Sequence, residues 1–210
     1  MRIESLDLAP TKIIGIGVNY RAHAVEMGKR LPEEPLMFLK PPSAMIPDGA
    51  AIRRPAGFAR VDYEAELGVV IGQRCTRVPR ASALEVVRGY TCVNDVTVRE
   101  LQQKDGQWAR AKGFDTFCPI GPRIVPGLDP SNLRIRCRVN GETRQDSTTA
   151  DLIFDVTALI AFVSEYFTLE PGDVISTGTP SGVGNLNVGD VCEVEIEGIG
   201  ILRNPVVARE

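Results

Sequence analysis

Twenty glycines and fifteen prolines punctuate this chain of 210 residues, one residue in six, and they recur too often to leave room for long regular segments. Proline lacks an amide donor and glycine loses the most freedom on ordering, so each cluster ends an element or sets a turn. Long helical bundles are excluded. The apolar runs between the breaks are short and read mostly as strands, at Lys12 to Gly17, Leu36 to Lys40, Tyr63 to Gly72 and Tyr90 to Val96.

Asn140-Gly141, flanked by Leu133 to Val139 and Glu142 to Gln145, carries the turn chemistry of a two-residue hairpin. Behind Asp155, a plausible N-cap, Val156, Leu159, Ile160, Val163 and Phe167 recur at helical spacing. Shorter helices are predicted over Asn19 to Gly28, over Ala81 to Arg88 with Gly89 closing it, and from Thr97 to about Lys104. Pro47 to Pro55 and Gly106 to Pro126 read as loops. Pro171-Gly172-Asp173-Val174 and Val188-Gly189-Asp190-Val191 are similar turns, each feeding a strand, and a last strand is expected near Ile201 to Val207. No low-complexity linker divides the chain, and the helices are too few for βαβ alternation. The expectation is a single α+β domain over residues 1–210, dominated by short mixed strands.

Such a length buries roughly 70% of the unfolded chain's surface, so a full core forms without staples. Twenty-four basic side chains against 27 acidic ones give a net charge of −3, which argues against nucleic acid or an anionic membrane as the main partner. A small-molecule partner is expected. The five cysteines, Cys75, Cys92, Cys118, Cys137 and Cys192, contain no C-x-x-C pair and disfavour both a disulfide framework and a zinc site. Arg2 and Glu4 follow Met1 with no apolar core behind them, so no signal peptide is expected. The most apolar helical stretch, Val156 to Val163, falls far short of the ~20 residues that span a bilayer. The expected location is the cytoplasm.

The stretch Asp62-Tyr63-Glu64-Ala65-Glu66-Leu67-Gly68 carries the most chemistry, because Glu64 and Glu66 share one face of a strand. An isolated E-x-E is commonly a solvated face; here Leu67, Val69, Val70 and Ile71 continue it, too apolar for an edge in water, so the carboxylates belong at the mouth of a core pocket. Asp95 closes an apolar strand just before a helix, and reads equally as an N-cap or as a third carboxylate. Three hard oxygen donors from two strand regions suit Mg²⁺ or Mn²⁺. His23 is the sole histidine, and Glu26 stands one helical turn on, the spacing of a general base and its orienter or of a structural pair.

Asn19-Tyr20-Arg21-x-His23-x-x-Glu26, Phe38-Leu39-Lys40-Pro41, Glu64-x-Glu66-Leu67-Gly68 and Thr177-Gly178-Thr179-Pro180-x-Gly182-Val183-Gly184 together resemble the fumarylacetoacetate hydrolase family, in its small acylpyruvate hydrolase and oxaloacetate decarboxylase members. The resemblance spans nearly the whole chain. It implies a mixed β-sandwich roll flanked by short helices, a homodimer, and Mg²⁺ or Mn²⁺ held by Glu64, Glu66 and Asp95. It also implies a His23–Glu26 dyad, Lys112 stabilising an oxyanion, and Arg99, Gln102 and Thr179 on the substrate side. Without it, Arg99 and Gln102 read as an exposed helix face and Lys112 as a loop cation. The implied reaction is hydrolytic carbon–carbon cleavage of a 2,4-dioxo acid such as fumarylpyruvate, releasing pyruvate. Decarboxylation or isomerisation of oxaloacetate or a related oxo-diacid is the nearest rival, and a non-catalytic carboxylate-binding protein is another. Leu31 to Pro35 and Gly106 to Trp108 are expected around the pocket mouth. Gly15-x-Gly17-x-x-Tyr20 lacks the third glycine of a dinucleotide fingerprint, and Gly178 to Gly184 has no phosphate-loop lysine. Both clusters point to backbone close to a ligand or turn.

Overall fold

The run predicted as one strand from Tyr63 to Gly72 divides in two at Glu64, and that division organises the molecule. The computed structural model describes residues 1–28 and 30–210. In chain order its elements are β1 (Ile13–Gly17), α1 (Arg21–Glu26), β2 (Leu36–Lys40), β3 (Met45–Ile46), β4 (Ile52–Arg54), β5 (Val61–Tyr63) and β6 (Ala65–Ile71). There follow β7 (Val87–Asn94), β8 (Thr97–Val98), α2 (Arg99–Asp105), α3 (Ala109–Lys112), β9 (Cys118–Val125), β10 (Arg134–Val139) and β11 (Glu142–Thr148). The chain closes with α4 (Val156–Tyr166), β12 (Val174–Ser176), β13 (Gly184–Asn185), β14 (Val191–Ile196) and β15 (Gly200–Ala208).

Three sheets result. The largest runs β2-β1-β12-β6-β7-β9-β3, the second β11-β10-β14-β15-β4, and the smallest β13-β5-β8. Pairing is mixed: β1 with β12, β15 with β4 and β3 with β9 are parallel, and the rest antiparallel. This is the expected α+β roll of mixed sheets with short helices. Leu67, Val69 and Ile71 of β6 pack in the main core with Ile135, Val194 and Leu202 of the second sheet. Val70 points into another cluster with Ile13, Val93 and Val174. Both faces of β6 are therefore covered, which is why its apolar run does not alternate with polar residues.

Several expectations hold. Asn140 (φ 54°) and Gly141 (φ 81°) take the left-handed conformations of the hairpin between β10 and β11. Asp155 caps α4, its carboxylate accepting from Ala158 N at 2.8 Å. Both Gly-Asp turns feed strands, β12 and β14. Three expectations fail. Pro47 to Pro55 is not all loop, because β4 lies within it and pairs with β15. Instead of a helix over Ala81 to Arg88, Arg80–Val86 form tight 3-10 turns behind Pro79 and Val87 already opens β7. Gly89 lies inside that strand, where a Cβ would stand 2.8 Å from Val125 O; it admits a neighbouring backbone and ends nothing. Nor is Gly106 to Pro126 a loop: it holds α3 and β9, the latter hidden from sequence by Pro119 and Pro122 within the strand. Among the described residues no helix is long and apolar enough to cross a membrane, and the five cysteines are free.

Candidate active site

At Glu64 the chain leaves the small sheet and enters the large one. Strand alternation thus does not set the relation of Glu64 to Glu66; the seam between two sheets does, and it is held by Asn94 Oδ1, which accepts from Glu64 N at 2.9 Å, and by Asp95 N donating to Glu64 O. The consequence is convergence. One carboxylate oxygen each of Glu64, Glu66 and Asp95 lies within 4.8 Å of the others, and all three residues are buried. Asp95 does not cap α2, whose cap position is Val98.

Three like charges so close in a dry site need compensation. Lys112 Nζ donates to Glu64 at 2.9 Å, to Asp95 at 2.6 Å and to Thr97 Oγ1 at 2.9 Å. Lys40 Nζ donates to Asp95 at 2.5 Å and to Lys112 O at 2.5 Å. Arg99 NH2 stands 2.7 Å from Glu64, while its Nε donates to Asp62 and its NH1 to Gln102. Burial alone would raise Glu64, but the Lys112 and Arg99 charges hold its carboxyl down at about 2. Glu66 has only Ser176 Oγ at 2.6 Å and Gly178 N at 2.9 Å. Burial first, and then the charges of Asp95 and Glu64, push it up to about 8. Burial opposes the charge of Lys112, yet Asp95 and Glu64 raise its pKa. Hard oxygen donors that converge and repel one another fit a divalent Mg²⁺- or Mn²⁺-like cation, and no nitrogen or sulfur donor stands among them.

His23 is 4% exposed on α1, and its Nδ1 lies 2.9 Å from Glu26 Oε2. A carboxylate only accepts, so Nδ1 carries a proton, and in the neutral ring Nε2 is the acceptor. Glu26 is itself fixed by Gly182 N, which donates to its Oε1 at 3.1 Å. His23, Glu64, Glu66, Arg99, Gln102, Trp108, Lys112 and Thr179 line one small chamber of about 20 Å³. A wider cavity of about 610 Å³, walled by His23, Arg99, Gln102 and Trp108 together with Arg60 and Gln103, opens outside it.

The candidate catalytic, metal and substrate residues therefore gather here, Asp95 through its bonds to Lys112 and Lys40 rather than by lining either space. Arg99 and Gln102 are not an exposed helix face, and Lys112 is buried rather than a loop cation. Of the segments expected at the mouth, Trp108 lines both spaces, whereas Gly106, Gln107 and Leu31 to Pro35 line neither. Gly15 serves packing, since a Cβ there would meet Phe38 at 2.1 Å, whereas Gly17, where a Cβ would meet Trp108 at 2.7 Å, is backbone that lines the small chamber. Gly178 (φ +96°) and Gly182 (φ +93°) do mark backbone beside the site, Gly182 lying against Arg144 O. Sequence reading missed Lys40, Asp62, Asn94 and Gln145. Lys40 had a signal, since a lysine inside an apolar strand followed by two prolines needs a buried partner.

Residues 12–207 match the family described as the fumarylacetoacetate hydrolase C-terminal domain. A mitochondrial oxaloacetate tautomerase of Xenopus laevis is 45% identical over 210 residues, covering 94% of this chain and 66% of its own length. The crystal structure of a 5-carboxymethyl-2-hydroxymuconate delta-isomerase from Mycobacterium smegmatis is 50% identical at a TM-score of 0.92, covering 97% of this chain and 81% of the other. That of a fumarylpyruvate hydrolase from Pseudomonas aeruginosa in complex with Mn²⁺ and pyruvate is 34% identical at a TM-score of 0.91, covering 99% and 95%.

Proposed function

The chain belongs to the fumarylacetoacetate hydrolase family, and from that premise we propose that it cleaves the carbon–carbon bond of 2,4-dioxo acids, acylpyruvates such as fumarylpyruvate, to release pyruvate. In this reading it acts in the cytoplasm as a homodimer on a small oxo-acid substrate. One observation carries the proposal: an oriented imidazole lines the chamber that Glu64 and Glu66 also line, with Asp95 converging on them from behind the wall.

Glu64, Glu66 and Asp95 would hold Mg²⁺ or Mn²⁺, which supplies Lewis-acid polarisation of the oxo acid's oxygens when bound. His23 Nε2 takes a proton from water, and Glu26 steadies the imidazolium that forms. The hydroxide so generated adds to the distal carbonyl carbon. The bond between that carbon and the neighbouring CH₂ then breaks, its electron pair leaving as the enolate of pyruvate, and His23 is placed to return the proton. Lys112 contributes fixed positive charge to the chamber, its N–H bonds being directed at Glu64, Asp95 and Thr97. Arg99, Gln102 and Thr179 bind and orient the substrate's anionic end.

In a second reading the site decarboxylates or isomerises an oxo-diacid such as oxaloacetate, and the names of the Xenopus tautomerase and the Mycobacterium isomerase favour the isomerising branch. Proton transfer by His23 at the carbon beside the oxo group would serve tautomerisation, with no attacking water. A pyruvate-release assay with acylpyruvates and oxaloacetate, run with Mg²⁺ or Mn²⁺ beside absorbance monitoring of the keto–enol change of oxaloacetate, which releases no pyruvate, separates the readings. Faster turnover of an acylpyruvate is expected. Turnover of oxaloacetate alone would replace the hydrolase with the second reading.

A further inference from the structure

Gln145 lies on β11, is 1% exposed, and has no part in the chemistry above. Its amide is nevertheless fixed at both ends. Oε1 accepts from Ala65 N at 3.0 Å, and Nε2 donates to Pro180 O at 2.7 Å and to Thr179 Oγ1 at 2.9 Å. A backbone N–H only donates and a carbonyl only accepts, so Ala65 and Pro180 set the orientation of the amide without reference to the threonine. Thr179 Oγ1 must therefore receive the hydrogen bond, and its own proton turns elsewhere.

Elsewhere is the chamber. Thr179 lines it beside Glu64, Glu66 and Lys112, and no acceptor among the described residues takes the hydroxyl proton. The Lys112 ammonium beside it is already engaged with Glu64, Asp95 and Thr97. The hydroxyl is thus a donor with no acceptor among the described residues, on a residue that lines the chamber. At its other end the same amide holds Ala65, the residue between Glu64 and Glu66, at the seam where the sheets meet.

We propose that Gln145 is a positioning residue that fixes the Thr179 hydroxyl as a donor to the carboxylate of a bound oxo acid and, through Ala65, ties that donor to the strand carrying the metal ligands. The proposal rests on the reading that Thr179 contacts substrate. The test compares Gln145→Met, Thr179→Val and the double variant by calorimetry, titrating first Mn²⁺ alone and then pyruvate in the presence of Mn²⁺.

Thr179→Val is expected to weaken pyruvate on the order of tenfold, about the worth of one hydrogen bond to a charged group, while leaving Mn²⁺ affinity unchanged. Gln145→Met is expected to weaken pyruvate by a similar factor and Mn²⁺ by several fold. The double variant should bind pyruvate no worse than the poorer single one, because the two changes remove the same interaction. Gln145→Glu, protonated in this buried setting, keeps an acceptor for Ala65 and an O–H for Pro180 O but has no second donor for Thr179, so it should hold the fold and still bind pyruvate weakly; it serves as the readout where Gln145→Met does not fold. Wild-type pyruvate affinity in Gln145→Met or Gln145→Glu, beside a loss in Thr179→Val, overturns the proposal. So do losses that multiply in the double variant. Unchanged pyruvate affinity in Thr179→Val instead defeats the substrate reading beneath it.

Discussion

His23 has one ring nitrogen taken by Glu26 and the other open to the chamber, and no other imidazole exists in the chain to replace it. If the reaction is hydrolytic, His23→Ala should lose on the order of 10² to 10⁴ in acylpyruvate turnover, the usual worth of a positioned general base. Mn²⁺ affinity in the same preparation should be unchanged. Glu66→Gln should do the reverse at the binding step: it removes a donor from the carboxylate convergence while the amide can still accept from Ser176 and Gly178, so calorimetry should show Mn²⁺ affinity lost with the melting temperature held. Retained Mn²⁺ affinity there would remove Glu66 from the metal site. At this scale the sequence was readable where a residue's chemistry is unusual for its surroundings, as with paired glutamates ahead of an apolar run or a lone histidine. It was not readable for Gln145 and Asn94, whose amides act through partners 80 and 30 residues away, a separation no local pattern encodes.

Among the elements, the Gly172-Asp173 turn shows how much one side chain can hold. Asp173 accepts from Thr11 N and Oγ1 at 2.8 Å each, from Lys12 N at 3.0 Å and from Glu170 N at 2.8 Å, and pairs with the Lys12 ammonium. It fastens the start of β12 to the start of the parallel β1. Burial raises its carboxyl, but the Lys12 ammonium and the surrounding donors outweigh that and hold it below the usual carboxylate range. A depressed carboxyl stabilises the fold above its unfolded value of about 3.9, and that contribution is lost as pH falls through the folded one. Asp173→Asn should therefore cost about 2–4 kcal/mol in urea unfolding at neutral pH, and its stability should decline less steeply than the native protein's below about pH 4. An equal decline would assign the acid limb to other groups. Elements bounded by turn chemistry were legible, as the Asn140-Gly141 hairpin and capped α4 show. Those whose turn residues lie inside a strand were not: Gly89 in β7 and the prolines of β9 punctuate the sequence but do not interrupt the sheet.

For the whole molecule, the class of fold followed from the density of breaks and the scarcity of helical periodicity, whereas the three-sheet arrangement did not, because pairings such as β12 with β6 depend on the assembled core. The homodimer that the resemblance implies should appear in sedimentation at micromolar concentration as twice the 22.8 kDa chain mass; a species of chain mass alone would refute it. The seam at Glu64 has a consequence for local opening. A sheet made of β13, β5 and β8, two or three residues each, has little cohesion of its own. It is held by what crosses its border, including Arg99 bridging Asp62 to Glu64 and Tyr63 donating to Gly182 O. Arg60, Arg99 and Val183, which flank its three strands, wall the outer cavity, so the charges that gather at the reaction centre also fasten the small sheet whose ends frame the entrance.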